Sequence, residues 1–312
     1  VALDGEVLDD AEPGPVDVQV TADAVYFVAA GGRVKRVAKV ADGNGRFAGE
    51  VQYVFDASDP VVGYRLGLAP ASGATPAYFA LGILGRGLVR FGPLGAPGEV
   101  RELTGQSALG GVAAIGNIAY WAAGNQLRSC DMVTGCTSPQ VNVTSVAADA
   151  ITARVSTGEI AMATRNRTVV VWSSQTNALS VSAPAPEVPG ALALTDTAVV
   201  FTVPPPDERG VGAIHRVAKT QGAESVVIAD GEAIGVPLTE AKVPHAIATD
   251  GRYVYWTTRD AVRAAPVDGG AVLDIARGLP GPRGVAVDGT HVYYTCIAPG
   301  ERRGYLLRKA KL

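Results

Sequence analysis

The residues best suited to bind a charged ligand lie in the last third of the chain. Arg283 and Arg302 carry guanidinium groups, which hold carboxylates and phosphates through paired hydrogen bonds. His245 follows a repeated proline in the same way as Arg283, so we expect these two residues to be neighbours on adjacent repeats. The predicted binding residues are His245, Arg283, Asp207, Arg209, Glu301 and Arg302. The alternative interpretation is a solvated, charge-balanced rim, to which Glu208, Glu232, Glu240, Lys242 and Arg303 also contribute.

Catalytic chemistry has weaker support in the residue types. The chain has 3 histidines, and the other two lie elsewhere in the repeat pattern, His215 on a third strand and His291 at a first turn. This number and scatter exclude a multi-histidine zinc site. Serine, histidine and aspartate have no recognisable triad setting. We therefore predict no catalytic residue, no metal ligand and no cofactor.

Cysteine placement indicates a local disulfide. Cys130 and Cys136 stand in the segment SCDMVTGCTS, at the two ends of a predicted hairpin turn, where cross-strand cysteines meet disulfide geometry. Such a bond favours an extracytoplasmic location: periplasm, cell surface or medium. Two buried thiols in a cytosolic protein are the alternative. The remaining Cys296 is expected to be a small buried apolar residue.

A repeated β unit must position these residues, and its clearest copy is Pro244–Gly270. A short strand ends at the pair Asp250-Gly251, which favours a tight hairpin turn. The segment YVYWT, rich in aromatic and β-branched residues, follows as a second strand. A third short strand carries Arg263 before another turn at Asp-Gly-Gly.

Copies of this unit recur along the whole chain at intervals of roughly 40–50 residues, which is typical of propellers and solenoids. The predicted core positions of the second strands are Tyr26, Tyr78, Tyr120, Met162, Val200, Tyr255 and Tyr293. The third strands carry Arg36, Arg90, Arg128, Arg216, Arg263 and Arg308, with Trp172 in the fourth unit. Because these arginines recur at one strand position, we interpret them as packing stems with solvated heads rather than a nucleic-acid surface.

Seven units of four short strands predict an all-β, seven-bladed β-propeller. The seventh unit stops after its third strand, so we expect residues 1–10 to supply the outer strand of the last blade and close the ring. Ring closure removes sheet edges that would otherwise pair with other chains. We expect residues 1–312 to form this single domain, as a monomer. The copy at Val146–Pro189 is the weakest of the seven.

The repeat resembles those of known propellers. Its pattern is Pro-x-x-Ile/Val-Ala-x-Asp-Gly-x-x-Val-Tyr-Trp/Tyr-Thr, followed by the arginine strand, and Pro244–Gly270 and Pro282–Lys309 match it well. This resembles the YWTD repeats of LDL-receptor-like proteins and the NHL-type repeats of bacterial propellers. YWTD domains usually have six blades, whereas seven occur in bacterial propellers of the virginiamycin-lyase type. The resemblance implies the fold, while propellers of this kind include binding modules and enzymes alike.

The function predicted from these features is binding. Long insertions at Pro204–Gly212, Gly231–Val243 and Ala298–Gly304 fall on one face of blades five to seven, and long loops on a rigid scaffold commonly carry function. We expect an extracytoplasmic module that recognises a protein, a peptide or a glycan there. The alternative is a lyase or lactonase using a divalent ion at the channel mouth. A lyase of the virginiamycin type needs more than one histidine on this face, and only His245 qualifies.

Composition adds two exclusions. The net charge of −3 gives no reason to expect a nucleic-acid partner. The chain has no run of 18 apolar residues, the length that would indicate a transmembrane segment.

Overall fold

A computed structural model of the chain describes residues 3–10, 14–29, 31–39, 51–55, 64–69, 71, 77–83, 86–94, 99–106, 109–205, 210–234, 246–297 and 303–311. Their strands form seven antiparallel sheets of four strands each. This confirms the predicted seven-bladed β-propeller. In the described ranges the chain contains only strands, turns and irregular segments, and so no helix of the length and apolarity that a membrane span requires.

Each blade runs from its innermost to its outermost strand in chain order, except the last. Blade one comprises β2 (Pro15–Val20), β3 (Ala24–Ala29), β4 (Arg33–Ala38) and β5 (Val51–Phe55). Blade two comprises β6 (Tyr64–Ala69), β7 (Tyr78–Ile83), β8 (Leu88–Pro93) and β9 (Arg101–Leu103). Blade three comprises β10 (Leu109–Ile115), β11 (Ile118–Ala123), β12 (Gln126–Asp131) and β13 (Gln140–Thr144). Blade four comprises β14 (Ala148–Arg154), β15 (Glu159–Thr164), β16 (Thr168–Ser173) and β17 (Ala178–Pro184).

The remaining three blades complete the ring. Blade five comprises β18 (Leu192–Leu194), β19 (Ala198–Val203), β20 (Gly212–Ala218) and β21 (Ser225–Glu232). Blade six comprises β22 (Ile247–Thr249), β23 (Tyr253–Thr257), β24 (Val262–Pro266) and β25 (Leu273–Ala276). Blade seven comprises β26 (Pro282–Val287), β27 (His291–Ile297), β28 (Gly304–Ala310) and the N-terminal strand β1 (Glu6–Asp9).

All seven predicted core residues of the second strands are buried on β3, β7, β11, β15, β19, β23 and β27. The fourth unit, which matches the repeat least well, is a complete blade of four paired strands. Its strands are rich in valine, isoleucine and alanine rather than tyrosine, so it keeps the buried face without the aromatic signature.

The N-terminal strand closes the ring as expected. Strand β1 pairs antiparallel with β28, with Glu6 opposite Arg308 and Val7 opposite Leu307. The Arg308 Nε atom donates a hydrogen bond of 2.6 Å to the Glu6 carboxylate. Residue Asp4 forms an ion pair with Lys309 just before the strand begins. The outer strand and the third strand of the last blade therefore come from parts of the chain that lie far apart in sequence.

Among the described residues the core comprises seven separate apolar clusters, and the buried residues of each come from two neighbouring blades. The cluster between blades six and seven, for example, joins Val262 and Ile275 to Val285 and Leu307. Each sheet is thus apolar on both faces and is covered by the sheets beside it. A single blade would expose both apolar faces to water and would be unstable, so we expect the blades to fold cooperatively as a ring.

Glycine allows adjacent inner strands to approach closely. A Cβ atom at Gly110 would lie 2.1 Å from the Ala148 carbonyl oxygen of the next blade. At Gly67 it would lie 2.9 Å from the Ala113 carbonyl carbon. Any side chain at these positions would push two blades apart near the axis.

Each arginine of the third strands is held by an acceptor. The hydrogen bonds or ion pairs join Arg36 to Asp23, Arg90 to Glu102, Arg128 to Gln106, Arg216 to Asp268, Arg263 to Asp274 and Arg308 to Glu6. The arginine row therefore serves the structure, and its heads are partnered by protein groups rather than only solvated.

Lysines that follow third strands join neighbouring blades. Lys39, after β4, places Nζ 2.6 Å from the Asp288 Oδ2 atom in blade seven. The Tyr293 hydroxyl donates to the same Asp288 oxygen at 2.8 Å. Burial alone would raise the pKa of Asp288, but Lys39, two backbone amides and Tyr293 together lower that pKa. We call this Asp–Tyr–Lys arrangement a latch.

A second latch joins blade seven to blade six. Lys311 forms an ion pair with Asp250, and the Tyr255 hydroxyl donates to Asp250 at 3.1 Å. The pKa of Asp250 is also lowered, against the effect of burial, by Lys311 and by backbone amides. In both latches the tyrosine stands five residues after the aspartate, so one hairpin geometry supplies both groups.

The latches predict acid-sensitive stability. A carboxyl group with a lowered native pKa stabilises the fold above its unfolded pKa of about 4, and this contribution is lost as the pH falls through the native value. Lys39→Met should therefore lower the free energy of unfolding at neutral pH by about 1–2 kcal/mol. Denaturant unfolding at pH values from 7 down to 3 should show the difference from wild type shrinking with acidity.

The matched control is Asp268→Asn, which removes an exposed ion pair with Arg216 between blades five and six. Such surface pairs contribute roughly 0–1 kcal/mol. Lys39→Met and Asp268→Asn curves that coincide at every pH would contradict the latch interpretation.

Candidate functional site

Two faces of the ring can be distinguished by hydrogen bonds between connections. On what we call the upper face, turns between second and third strands bond to the segments that lead to the next blade. Examples are the Gln106 amide to the Gly87 carbonyl and the Leu279 amide to the Asp260 carbonyl, both at 2.8 Å. On the lower face, first turns bond to third turns, as the Lys311 amide does to the Thr290 carbonyl at 2.9 Å.

The upper-face connections of blades five to seven are long. Among turns between second and third strands, residues 204–211 and 298–303 are the longest, and residues 233–246 form the longest link between blades. The predicted residues Asp207, Arg209, His245, Glu301 and Arg302 belong to these segments but lie outside the described residues. Residues 56–63, between blades one and two, form a further long link that the sequence analysis did not single out.

Arg283 is the predicted binding residue that the structure describes. It is the second residue of β26, at the upper end of the inner strand of blade seven, and it is half-buried. Its carbonyl oxygen accepts a hydrogen bond from the Ala246 amide at 3.2 Å and one from the Thr257 hydroxyl at 3.0 Å. Burial lowers the pKa of the Arg283 guanidinium. Ala246, the residue after His245, therefore lies beside Arg283 of the adjacent blade, and the expected proximity of His245 and Arg283 stays a prediction.

Glu232, expected on the solvated rim, is instead buried between blades five and six. Its carboxylate accepts a hydrogen bond of 3.0 Å from the Trp256 indole and bonds of 3.1 Å from Arg263. Arg263 also donates to Asp274 at 2.9 Å. Burial disfavours the Arg263 charge, but the two carboxylates outweigh it and raise the pKa of Arg263. The sequence could not reveal this, because only the end of β21 brings Glu232 under the next blade.

Blade three contains a neutral version of the same arrangement. The Gln106 Oε1 atom accepts bonds of 3.0 Å from the Trp121 indole and from Arg128. Blades three and six therefore each pair a tryptophan of the second strand and an arginine of the third with one acceptor that precedes the blade. That acceptor is an amide in one blade and a carboxylate in another.

This equivalence predicts how Glu232 responds to substitution. Glu232→Gln should change the free energy of unfolding by less than about 1 kcal/mol, because an amide oxygen can serve the same two donors. Glu232→Leu should lower it by about 1–3 kcal/mol, because the Trp256 indole and the Arg263 guanidinium lose their acceptor. Urea unfolding of both variants gives the comparison.

Gln106→Leu in blade three is the matched control and should behave as Glu232→Leu does. Equal losses for Glu232→Gln and Glu232→Leu would show that charge, not hydrogen bonding, holds the junction.

The central channel of the ring forms a cavity of about 390 Å³, and residues of all seven inner strands line it. Blades three, five, six and seven contribute only alanine, valine, leucine and isoleucine. The polar lining side chains are Asp17 and Gln19 of β2, Thr21 just after β2, Arg65 of β6 and Thr152 of β14. The channel is therefore polar on the side of blades one and two and largely apolar elsewhere.

Asp17 is a buried carboxylate that the sequence analysis missed. Its Oδ1 atom accepts a 2.9 Å hydrogen bond from the Val18 amide, and its Oδ2 atom accepts one of 2.9 Å from the Leu66 amide of blade two. Burial raises the pKa of Asp17, and the charge of Arg65 partly opposes this shift. The sequence did contain a signal for Asp17. It stands two residues after a repeated proline, where other blades have a small residue, Ala246 or Gly284.

The described residues contain no group of three or more histidine, cysteine, aspartate or glutamate side chains suited to a metal ion. Cys130 and Cys136 form a disulfide with a Cα–Cα distance of 5.7 Å. Cys136 lies in the turn after β12 rather than on the opposite strand. Cys296 is a buried free thiol, and burial raises its pKa to about 12.

Comparisons with known proteins agree on the architecture. A scan against protein-family models finds no match, and neither does a search of curated proteins. Among solved structures, the RRP9 WD40 repeats share 16% identity over 99% of this chain and 98% of that chain, with a TM-score of 0.68. The β-propeller domain of Myceliophteria thermophila Cps50 (Swd1) shares 12% identity over 98% and 100%, with a TM-score of 0.67. The computationally designed Ika8 protein shares 16% over 95% and 84%, with a TM-score of 0.56.

The chain is thus an all-β, seven-bladed β-propeller with WD40 propellers among its structural neighbours. At these identities the likeness concerns the fold alone.

Proposed function

We propose that the chain is a binding module that recognises a protein, peptide or glycan on the upper face of blades five to seven. The observation that carries this proposal is that the two longest turns between second and third strands, residues 204–211 and 298–303, and the longest link between blades, residues 233–246, all belong to this region. They rise from three consecutive blades of a rigid ring, which is how scaffolds commonly present variable recognition loops. Arg283 stands at the inner border of this surface and can supply a charged hydrogen-bond donor.

The proposal extends to the setting and organisation of the chain. The Cys130–Cys136 disulfide supports an oxidising, extracytoplasmic compartment, because such bonds rarely persist in reducing cytosol. Residues 1–312 act as one monomeric domain in this proposal. The proposed relationship to YWTD or NHL repeats rests on the blade-six segment Tyr255-Trp256-Thr257, which matches the Tyr-Trp/Tyr-Thr part of the repeat pattern.

The binding surface can be tested with charge substitutions. Asp207, Arg209, Glu301 and Arg302 would all be changed to serine, and ligands would be selected from a displayed peptide library and a glycan array with the wild-type protein. Affinities for the selected ligands should fall roughly 10- to 100-fold in this variant, because charge-assisted hydrogen bonds are lost. Titration calorimetry provides the measurement.

The control replaces three exposed lower-face residues, Glu224, Arg252 and Asp268, with serine. This variant should bind the selected ligands like wild type. Ligands that lose affinity for the lower-face variant, and keep it for the upper-face variant, would overturn the proposed surface.

The disulfide gives an independent prediction about the compartment. It closes a loop with a sequence separation of 6, so changing Cys130 and Cys136 to serine should lower the free energy of unfolding by about 2 kcal/mol. Reductant should lower the melting temperature of wild type and of Cys296→Ala alike, but not that of the double serine variant. Protein isolated from its own cells with both thiols free, as read by mass spectrometry, would contradict the extracytoplasmic assignment.

A further inference from the structure

The channel contains a buried carboxylate whose charge is only partly compensated. Asp17 accepts hydrogen bonds from two backbone amides, one on each oxygen, and Arg65 acts on it only through its charge. A carboxylate has about four acceptor positions, so each oxygen can accept a further donor. Burying such a group is unfavourable unless a charged or hydrogen-bonding partner completes it. An incoming ammonium group would supply that partner.

Arg65 lies on the adjacent inner strand and lines the same cavity. A ligand carrying only a cation would meet the attraction of Asp17 and the repulsion of Arg65 together. A ligand that carries an ammonium and a carboxylate on one carbon atom offers a group of opposite charge to each of the two residues. Guanidinium groups hold carboxylates through their forked donors, and the five donors of one arginine can serve more than one acceptor.

The apolar part of the channel lining determines which uncharged part the ligand can have. Opposite the two charged residues the lining is apolar and includes Ala150, Ala191 and Ile247. Apolar atoms placed there leave water and are stabilised by burial. The volume of about 390 Å³ lies at the small end of the range for ligand pockets, which run from about 300 to 1,000 Å³. This favours a small molecule over a large one.

We infer that the channel binds a free α-amino acid with an apolar side chain, its ammonium on Asp17, its carboxylate on Arg65 and its side chain against the apolar wall. This site is separate from the proposed macromolecular surface on blades five to seven. It gives the propeller a second ligand of a different chemical class.

Leucine and its two half-charged analogues test the head group. Isoamylamine keeps the ammonium and the apolar body, and isocaproate keeps the carboxylate and the same body. Saturating leucine should raise the wild-type melting temperature by about 2–5 °C, because a ligand that binds only the native state stabilises it. Each analogue should bind roughly 10- to 100-fold more weakly than leucine in titration calorimetry, since each lacks one charged pair.

Variants locate the binding to the channel. Asp17→Asn should weaken leucine binding roughly 10- to 100-fold, and Arg65→Met should remove the preference for leucine over isoamylamine. Ala150→Leu fills the apolar side without touching either charge and should abolish binding, which keeps the test valid if Asp17→Asn fails to fold. Asp196→Asn, an exposed carboxylate on the lower face, is the matched control and should bind leucine like wild type.

Three results would overturn the inference. One is a folded wild type that leucine neither stabilises nor binds at millimolar concentration. Another is isoamylamine or isocaproate binding as tightly as leucine. The third is unchanged leucine binding in Ala150→Leu.

Discussion

Every blade of this protein is apolar on both faces, and the whole architecture depends on covering those faces with neighbouring blades. The seven apolar clusters each belong to two blades and none to one blade alone. A single open junction would expose two faces at once, so the ring must close. Strand β1 meets this requirement at the junction between the ends of the chain, with the help of Glu6 and Asp4. Asp4 and strand β1 are therefore as important for the stability of the ring as the strands near its axis.

Polar groups reinforce the same junctions in a repeated manner. The latches of Asp250 and Asp288 lie on the lower face, and the acceptors Gln106 and Glu232 lie under tryptophan and arginine of the following blade. In each case one blade supplies the acceptor. The donors come from the neighbouring blade and, in the latches, also from the next strand of the same blade. The arginine row noticed in the sequence is part of this network. Its regularity reflects a recurring arrangement of the blade, since six of the seven third strands place an arginine head beside an acceptor.

Features that recur in the blades can be predicted from the sequence, whereas features that depart from the repeat cannot. The aromatic second strands, the third-strand arginines and the donated N-terminal strand all follow from local patterns with a fixed spacing. Glu232 belongs to a loop by sequence and to a buried network in space, because its neighbours come from the next blade. Asp17 was missed for a related reason. Its second amide donor, on Leu66, and the charge of Arg65 come from the inner strand of the next blade, and the channel that it lines forms only from all seven inner strands together.

The pairing of β1 with β28 also determines how the molecule responds to mechanical load. The pair is antiparallel, so residues entering β1 lie beside residues leaving β28, where Asp4 meets Lys309. Tension applied between these two ends would open the ladder one pair at a time, starting at that ion pair, instead of shearing all of its hydrogen bonds together. The seventh blade would yield first and at low force, while the other six blades would still be intact sheets. The ring closure that gives thermodynamic cooperativity is thus also the mechanical weak point of the propeller.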